Sequence, residues 1–431
     1  MAAEEVTPWL RLARISGDHE ENKRLWNGYQ KYLSRPHSYE CQRQMDNPKF
    51  VDIVDLSDAE FHSIQMKVAY LPKVLGEAQT IAVAKFDAEI KTRLELDGFY
   101  FAFPVFIQNT TFKSLLTLKH AQFAEGLTAV ECVFKKGLKA TGASFGPFTT
   151  FSECRFIERT SFRDAKFKDA NFHRANFKND CNFMDAEFAE YVFFTDSIFT
   201  NSATFKSVKF HDLTSFDLAA ASSAAVPISF QDAKFFKHPP RFFGRTLHED
   251  TDWTGVTLPN AEAQAALSRD LLEDDKRAYE QLRIKCGALG KVEDEHMFFR
   301  REMELTGHLS PWYTRVTYWL YHLVSDYGHS YWRPIAGMGG LWAVWSLFYA
   351  LHFMARDQLH LCMDRVELLR STMGLSFSNI FAVFGFYRRF PSDLLADPTF
   401  VTVLLTVSET LLGFVFLFFL GLGLRTRFRL R

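Results

Sequence analysis

The chain has 431 residues, with 50 Lys and Arg against 51 Asp and Glu, a formal net charge of −1, and 46 Phe. That length leaves room for two or three domains, and the near balance of charge shows no overall bias toward a nucleic-acid partner. Six Cys (41, 132, 154, 181, 286, 362) form no CxxC pair, and three of them fall in small-residue slots of the repeat described below, which favours packing over metal or disulfide chemistry.

Residues 1–95 are weakly patterned. Met1-Ala2-Ala3-Glu4-Glu5 has neither a basic start nor an apolar core, so no signal peptide is expected and the repeat should occupy a reducing cytoplasm. Trp9 to Ala13 and Leu25 to Tyr29 read as short amphipathic helices with no assignable role. From about Leu96 the aromatic spacing tightens through Phe101, Phe106 and Phe112, the expected N-terminal edge of a repeat domain spanning 96–258. A cap is needed there, because an open coil end offers unpaired strand edges.

Nine tandem eleven-residue units follow from Leu118, one of them ten residues long. Each places a Phe at its sixth position: Phe123, Phe134, Phe145, Phe156, Phe167, Phe177, Phe188, Phe199 and Phe210. The partner position five residues earlier holds Leu118, Ala129, Ala140, Phe151, Phe162, Phe172, Phe183, Phe194 and Phe205. Two residues before each ring stands a small or β-branched residue, as in Ala165-Lys166-Phe167, Ala170-Asn171-Phe172 and Ala175-Asn176-Phe177. Periods of five and six match neither a 3.6-residue helical turn nor a two-residue strand alternation. A fixed large–small register over about a hundred residues marks a stacked repeat.

This register resembles the pentapeptide-repeat family, with Phe at the centre and Ala, Cys or Thr two before it. The resemblance implies a right-handed quadrilateral β-helix of about 22 residues per coil, about six coils and ~30 Å in length at ~4.8 Å per coil. After Phe216 the register breaks at Ala219 to Ala225, read as a loop extruded from one coil. It resumes at Phe230 and Phe235, is disturbed at His238-Pro239-Pro240, and ends at Trp253.

Residues 259–310 read as a helical-hairpin linker broken by Gly287 and Gly290, with Asp294, Glu295 and His296 on a solvated face rather than at metal-ligand spacing. Residues 311–330 read as an interfacial helix in which Trp312, Tyr313, Tyr318, Trp319 and Tyr321 surround Arg315. Two membrane-spanning helices are expected at 331–356 and 399–424, each long enough for a ~30 Å hydrocarbon core. The loop at 357–398 should hold a short re-entrant or interfacial helix at 374–387. A basic tail follows at 425–431, its Arg425, Arg427, Arg429 and Arg431 fitting a cytoplasmic end; Arg356, Arg365, Arg370, Arg388 and Arg389 in the loop blur the asymmetry. Two spans place both termini on one side, here the cytoplasmic side of a bacterial inner membrane.

The linker, Tyr327 to Ser330 with Arg333-Pro334, and the ending Gly423 to Arg429 resemble a bacterial membrane-protein group that joins pentapeptide repeats to membrane helices, some relatives being described as ion-channel-like. The potassium-filter sequence TVGYG is absent; Val383-Phe384-Gly385-Phe386-Tyr387 echoes it poorly. Glu409 is the sharpest functional signal. Thr402, Thr406, Glu409 and Gly413 share one helix face. In a symmetric oligomer that face could line a pore, with Glu409 a ring attracting monovalent or divalent cations; alternatively Glu409 is protonated and hydrogen-bonded between packed helices. Gly337, Gly339 and Gly340 would allow close helix contact.

Three functions compete. A membrane-anchored scaffold for a cytoplasmic protein leads, and a channel-like homo-oligomer with the β-helix as vestibule or sensor follows. Gyrase binding by DNA mimicry needs an acidic rod, whereas residues 112–253 hold 18 Lys and Arg against 17 Asp and Glu. No nucleophile elbow, phosphate loop or metal-spaced set supports an enzyme or a cofactor.

Overall fold

The computed structural model describes residues 18–33, 84–86, 89–91, 93–102, 104–219, 225–264, 266–357, 365–385 and 398–428. The chain forms two compact units, Met1–Phe298 and Phe299–Arg431.

The first unit is a β-solenoid. Among the described residues its strands, most of them two residues long, stack into four parallel sheets of seven, six, seven and seven strands. Partner residues give the coil length directly: Ser144 pairs with Gln122 and Lys166, so 144 − 122 and 166 − 144 both equal 22. The ten-residue unit shortens one step to 21, from Thr149 to Ala170. The break after Phe216 lengthens another to 25, from Ala203 to Ile228. Pairing resumes on the same faces, so the extra residues are accommodated without a change of register; Ala220 to Ala224 lie outside the described residues.

Hydrogen bonding along the sheets sets strands ~4.8 Å apart, and this distance brings the rings into columns, one per side. Phe101, Phe123, Phe145, Phe167, Phe188, Phe210 and Phe235 stack in sequence with centroids 4.5–5.4 Å apart and planes within 11°. A second column runs through Phe112, Phe134, Phe156, Phe177 and Phe199. A third joins Phe151, Phe172, Phe194, Phe216 and Phe242. The fourth joins Phe162, Phe183, Phe205 and Phe230 and ends on Trp253, the expected last coil. Neighbouring columns meet edge-on, as Phe183 meets Phe194 at 84°, so each ring has faces above and below and edges beside it. Every Phe assigned to the core is buried. Phe106 is not a core residue: it points outward at 41% exposure while Val105 and Ile107 beside it are buried.

The small slots behave as the register requires. Ala165, Ala175 and Ala186 are wholly buried. Cys132, Cys154 and Cys181 are buried and unbonded to one another, and the Cys132 thiol donates to the Ile107 and Val130 carbonyls. Cys41 and Cys362 lie outside the described residues.

The residue directly before every second such slot turns a corner in the left-handed region. Asn109, His120, Glu131, Glu153, Asp164, Arg174, Asp185, Asp196, Ser207 and Asp232 all have φ between 50° and 58°, and Gly142 takes the same place at 66°. Left-handed backbone disfavours ordinary side chains, and Asp and Asn tolerate it best, which accounts for five of the ten.

Both ends of the rod are covered. Helix α1 (His19–Leu33) caps the first coil. Trp26, wholly buried, packs on Phe99 and Phe101 and donates its indole N–H to the Tyr100 carbonyl. The Asn27 amide donates to the Gly98 carbonyl at 3.1 Å and accepts the Tyr100 N–H at 2.6 Å. One side-chain amide thus stands where the next strand's peptide would pair. Within Leu25 to Tyr29, Trp26 and Asn27 therefore have a role that the sequence did not disclose; Trp9 to Ala13 lies outside the described residues.

At the other end, helices α2 (Ala261–Gln264), α3 (Arg269–Ala288) and α4 (Val292–Leu309) follow the last coil. Lys285 donates to the Phe242 carbonyl and Lys291 to that of Thr251, while Phe298 meets Trp253 edge-on. Burial draws the Lys285 ammonium below its usual pKa range. Arg245 turns inward, donating to the Phe216 and Ser197 carbonyls at 2.5 and 2.7 Å, and burial draws its guanidinium down to about 10. His238 is clasped by Asp275, which also accepts from Gln264 at 2.7 Å. The stretch expected to be a linker is, up to Phe298, part of the solenoid unit and its cap. Asp294, Glu295 and His296 are accordingly half-buried rather than on a solvated face.

Two outcomes follow for denaturant titration of the purified chain. Phe167→Ala removes a ring stacked on both sides and is expected to cost about 3–5 kcal/mol. Asn27→Ala leaves the Tyr100 N–H without its partner and is expected to cost about 1–3 kcal/mol, with self-association through the exposed edge; an unchanged midpoint for both would exclude this account of core and cap.

Candidate functional site

In the second unit, helix α5 (Trp312–Ser325) ends in three consecutive left-handed residues, Asp326, Tyr327 and Gly328. Asp326 accepts from Arg300 at 3.1 Å, and Arg333 donates to the His322 carbonyl. Helix α6 (Trp332–Asp357) follows, then α7 (Arg365–Ile380) and α8 (Phe400–Phe428). The intervening helix begins earlier and stops sooner than the expected 374–387; Phe386 and Tyr387 lie outside the described residues, as do Arg388, Arg389, Arg429 and Arg431. Apolar segments at Trp332–Ala355 and Phe400–Arg425 are long enough to cross a membrane, about 36 and 39 Å at 1.5 Å per residue.

Helices α6, α7 and α8 pack on one another, with glycines at the closest approaches. A Cβ on Gly337 would meet the Phe416 ring at 2.3 Å, and one on Gly413 would meet the Ile380 backbone at 2.8 Å. Gly339 and Gly340 face open space instead, so of the three glycines expected to serve helix contact only Gly337 does so within the chain. The indoles of Trp342 and Trp345 donate to the Met373 and Leu405 carbonyls of the neighbouring helices.

The site lies among these helices. Glu409 is fully buried. Its Oε2 accepts from the Tyr349 hydroxyl of α6 and the Asn379 amide of α7, both at 2.9 Å, and its Oε1 pairs with the Ser376 hydroxyl of α7. Asn379 also donates to the Tyr349 oxygen at 3.1 Å, and the Ser376 hydroxyl lies 3.2 Å from the Trp342 carbonyl. A buried carboxyl in so apolar a setting requires such partners. Two helical turns away a second polar layer joins His352 of α6 to Thr399 and Thr402, both at 3.2 Å.

The four residues read as one face do share it: Thr402, Glu409 and Gly413 are buried and Thr406 is partly so. Within the chain that face is filled by α6 and α7, and Glu409 is hydrogen-bonded between these packed helices. Tyr349, Ser376 and Asn379 went unnoticed in the sequence. Asn379 and Tyr349 are polar positions in apolar runs, the one signal that could have marked them. Comparisons with protein-family models, with curated proteins and with solved structures return no match for this chain.

Gly413→Leu has to push the Ile380 backbone aside, whereas Gly339→Leu enters open space. The first is expected to lower the thermal transition of the detergent-solubilised chain by several degrees and the second to leave it unchanged; equal effects would refute the packing.

Proposed function

We propose that the chain is a membrane-anchored scaffold, whose solenoid docks a cytoplasmic protein partner while α6 and α8 cross a bacterial inner membrane with both termini cytoplasmic. The observation that carries this reading is the inverted polarity of α6–α8. On α8, Phe400, Leu411 and Phe418 are exposed at 82%, 63% and 60%, while Thr402 and Glu409 are at 0%. Only 11% of its apolar window is buried, whereas the core helix of a water-soluble protein would bury most of it. Apolar side chains outward and polar groups satisfied inward suit a hydrocarbon solvent. Helix α5 agrees: Trp312, Tyr313, Val316, Trp319, Leu320 and Leu323 form one exposed face, fitted to the headgroup region.

The solenoid suits the scaffold role because its ring columns fill the interior and its ends are covered, leaving the outer walls as the surface for a partner. The runner-up, a channel-like homo-oligomer passing cations, loses support because its proposed pore residue is enclosed by its own chain.

The full chain is expected to stay with membranes through an alkaline carbonate wash and to need detergent for release. Liposomes holding it should show ion flux no greater than empty vesicles. Recovery in the wash would overturn the anchor, and flux abolished by Glu409→Gln would replace the scaffold with a channel.

A further inference from the structure

The hydrogen bonds around Glu409 are complete for two different proton counts. With Glu409 ionised, Oε1 accepts from the Ser376 hydroxyl, while Oε2 accepts from Tyr349 and Asn379. With Glu409 protonated on Oε1, that O–H donates to the Ser376 oxygen, and the Ser376 hydrogen turns to the Trp342 carbonyl 3.2 Å away. The bonds at Oε2 are the same in both. No heavy atom moves, and the one change is rotation of a single hydroxyl hydrogen, a motion that is fast and weakly hindered.

We propose that Glu409 is a proton-exchange site within α6–α8, with Ser376 as the rotor that accommodates either form. On release, the proton leaves Oε1 for water and the Ser376 hydrogen swings from the Trp342 carbonyl to the carboxylate; on uptake both steps reverse. A buried carboxyl held only by donors would be locked ionised, and one among apolar groups locked neutral. Here an acceptor waits beside the rotor.

Charged neighbours do not impose either state. Tyr349 is the titratable group in contact, from α6, and His352 lies one turn further along that helix, bonded to the Thr399–Thr402 pair. From α7 the facing groups are the neutral Ser376 and Asn379, while Glu367 and Arg370 of that helix are exposed. From α8 itself the polar residues nearest Glu409, namely Thr402, Thr406, Ser408 and Thr410, carry no charge. The half-buried His352 layer lies ~10 Å from Glu409 by helical rise.

This inference rests on the membrane reading only for the setting of the three helices. The test is infrared difference spectroscopy of the full chain in detergent, titrated from about pH 4 to about pH 10, reading the carbonyl stretch of a protonated, hydrogen-bonded carboxylic acid. A band that appears and disappears reversibly in the wild type, and is missing in Glu409→Gln, is expected. Ser376→Ala, which removes the rotor but no charge, should move its midpoint by about one pH unit or more. Should Glu409→Gln fail to fold, Ser376→Ala and Glu409→Asp carry the test, the latter retaining a shifted band. A wild-type spectrum with no titrating band from this residue, or a midpoint indifferent to Ser376→Ala, would overturn the proposal. Failure of the carbonate wash would remove the anchor and leave this band in place.

Discussion

The ~4.8 Å spacing of hydrogen-bonded strands is the constraint on which the solenoid depends. It is wider than van der Waals contact between flat rings but close enough for each ring to cover the next, so a Phe at a fixed place in every coil finds a Phe above and below. Peptide ladder and ring column then reinforce one another: a slip of one residue would turn a whole column outward. The small residue two places before each ring leaves room for the adjoining column. The left-handed corner residue bends the chain from one wall to the next. Sequence, turn geometry and core are therefore three expressions of one distance.

The same distance creates a difficulty at the ends, and the chain meets it with side chains. At the first coil the donors and acceptors come from the Asn27 amide and the Trp26 indole; at the last they come from Lys285, Lys291 and Arg245. The basic ends suit carbonyl-rich edges, and their burial is tolerated because each charge meets backbone oxygens directly. Covered edges also keep one rod from pairing with another.

How much of this could be read beforehand follows from the range of each interaction. The Phe register is local and repetitive, so it disclosed the stacked core and the terminal Trp253, while the four sides and the coil length came with the family resemblance. The corner was legible in principle, since Asp164, Asp185, Asp196 and Asp232 recur at their units' spacing, but Arg174 and Glu131 in the same place dilute the signal. The caps were not legible. Asn27 and Tyr100 are 73 residues apart, and nothing near Asn27 announces an edge strand. Phe106 misled because spacing alone does not say which side of a short strand a ring takes. In the helical unit, Glu409 stood out as a charge in an apolar run. Its partners Tyr349 and Ser376 lie 60 and 33 residues away, and only the packing of α6–α8 shows that they close over it.

One consequence of the coil arithmetic concerns length. Because the caps engage the coils at the two ends, and the coils between them repeat one register in steps of 21, 22 or 25 residues, the rod can grow or shrink in whole coils, ~4.8 Å at a time. Its reach is therefore quantised. The 25-residue step between Ala203 and Ile228 shows a second freedom: extra residues between two strands leave the pairing of the walls beyond them as it was. Duplication can tune the extent of such a rod, and insertion can tune its surface, each independently of the other.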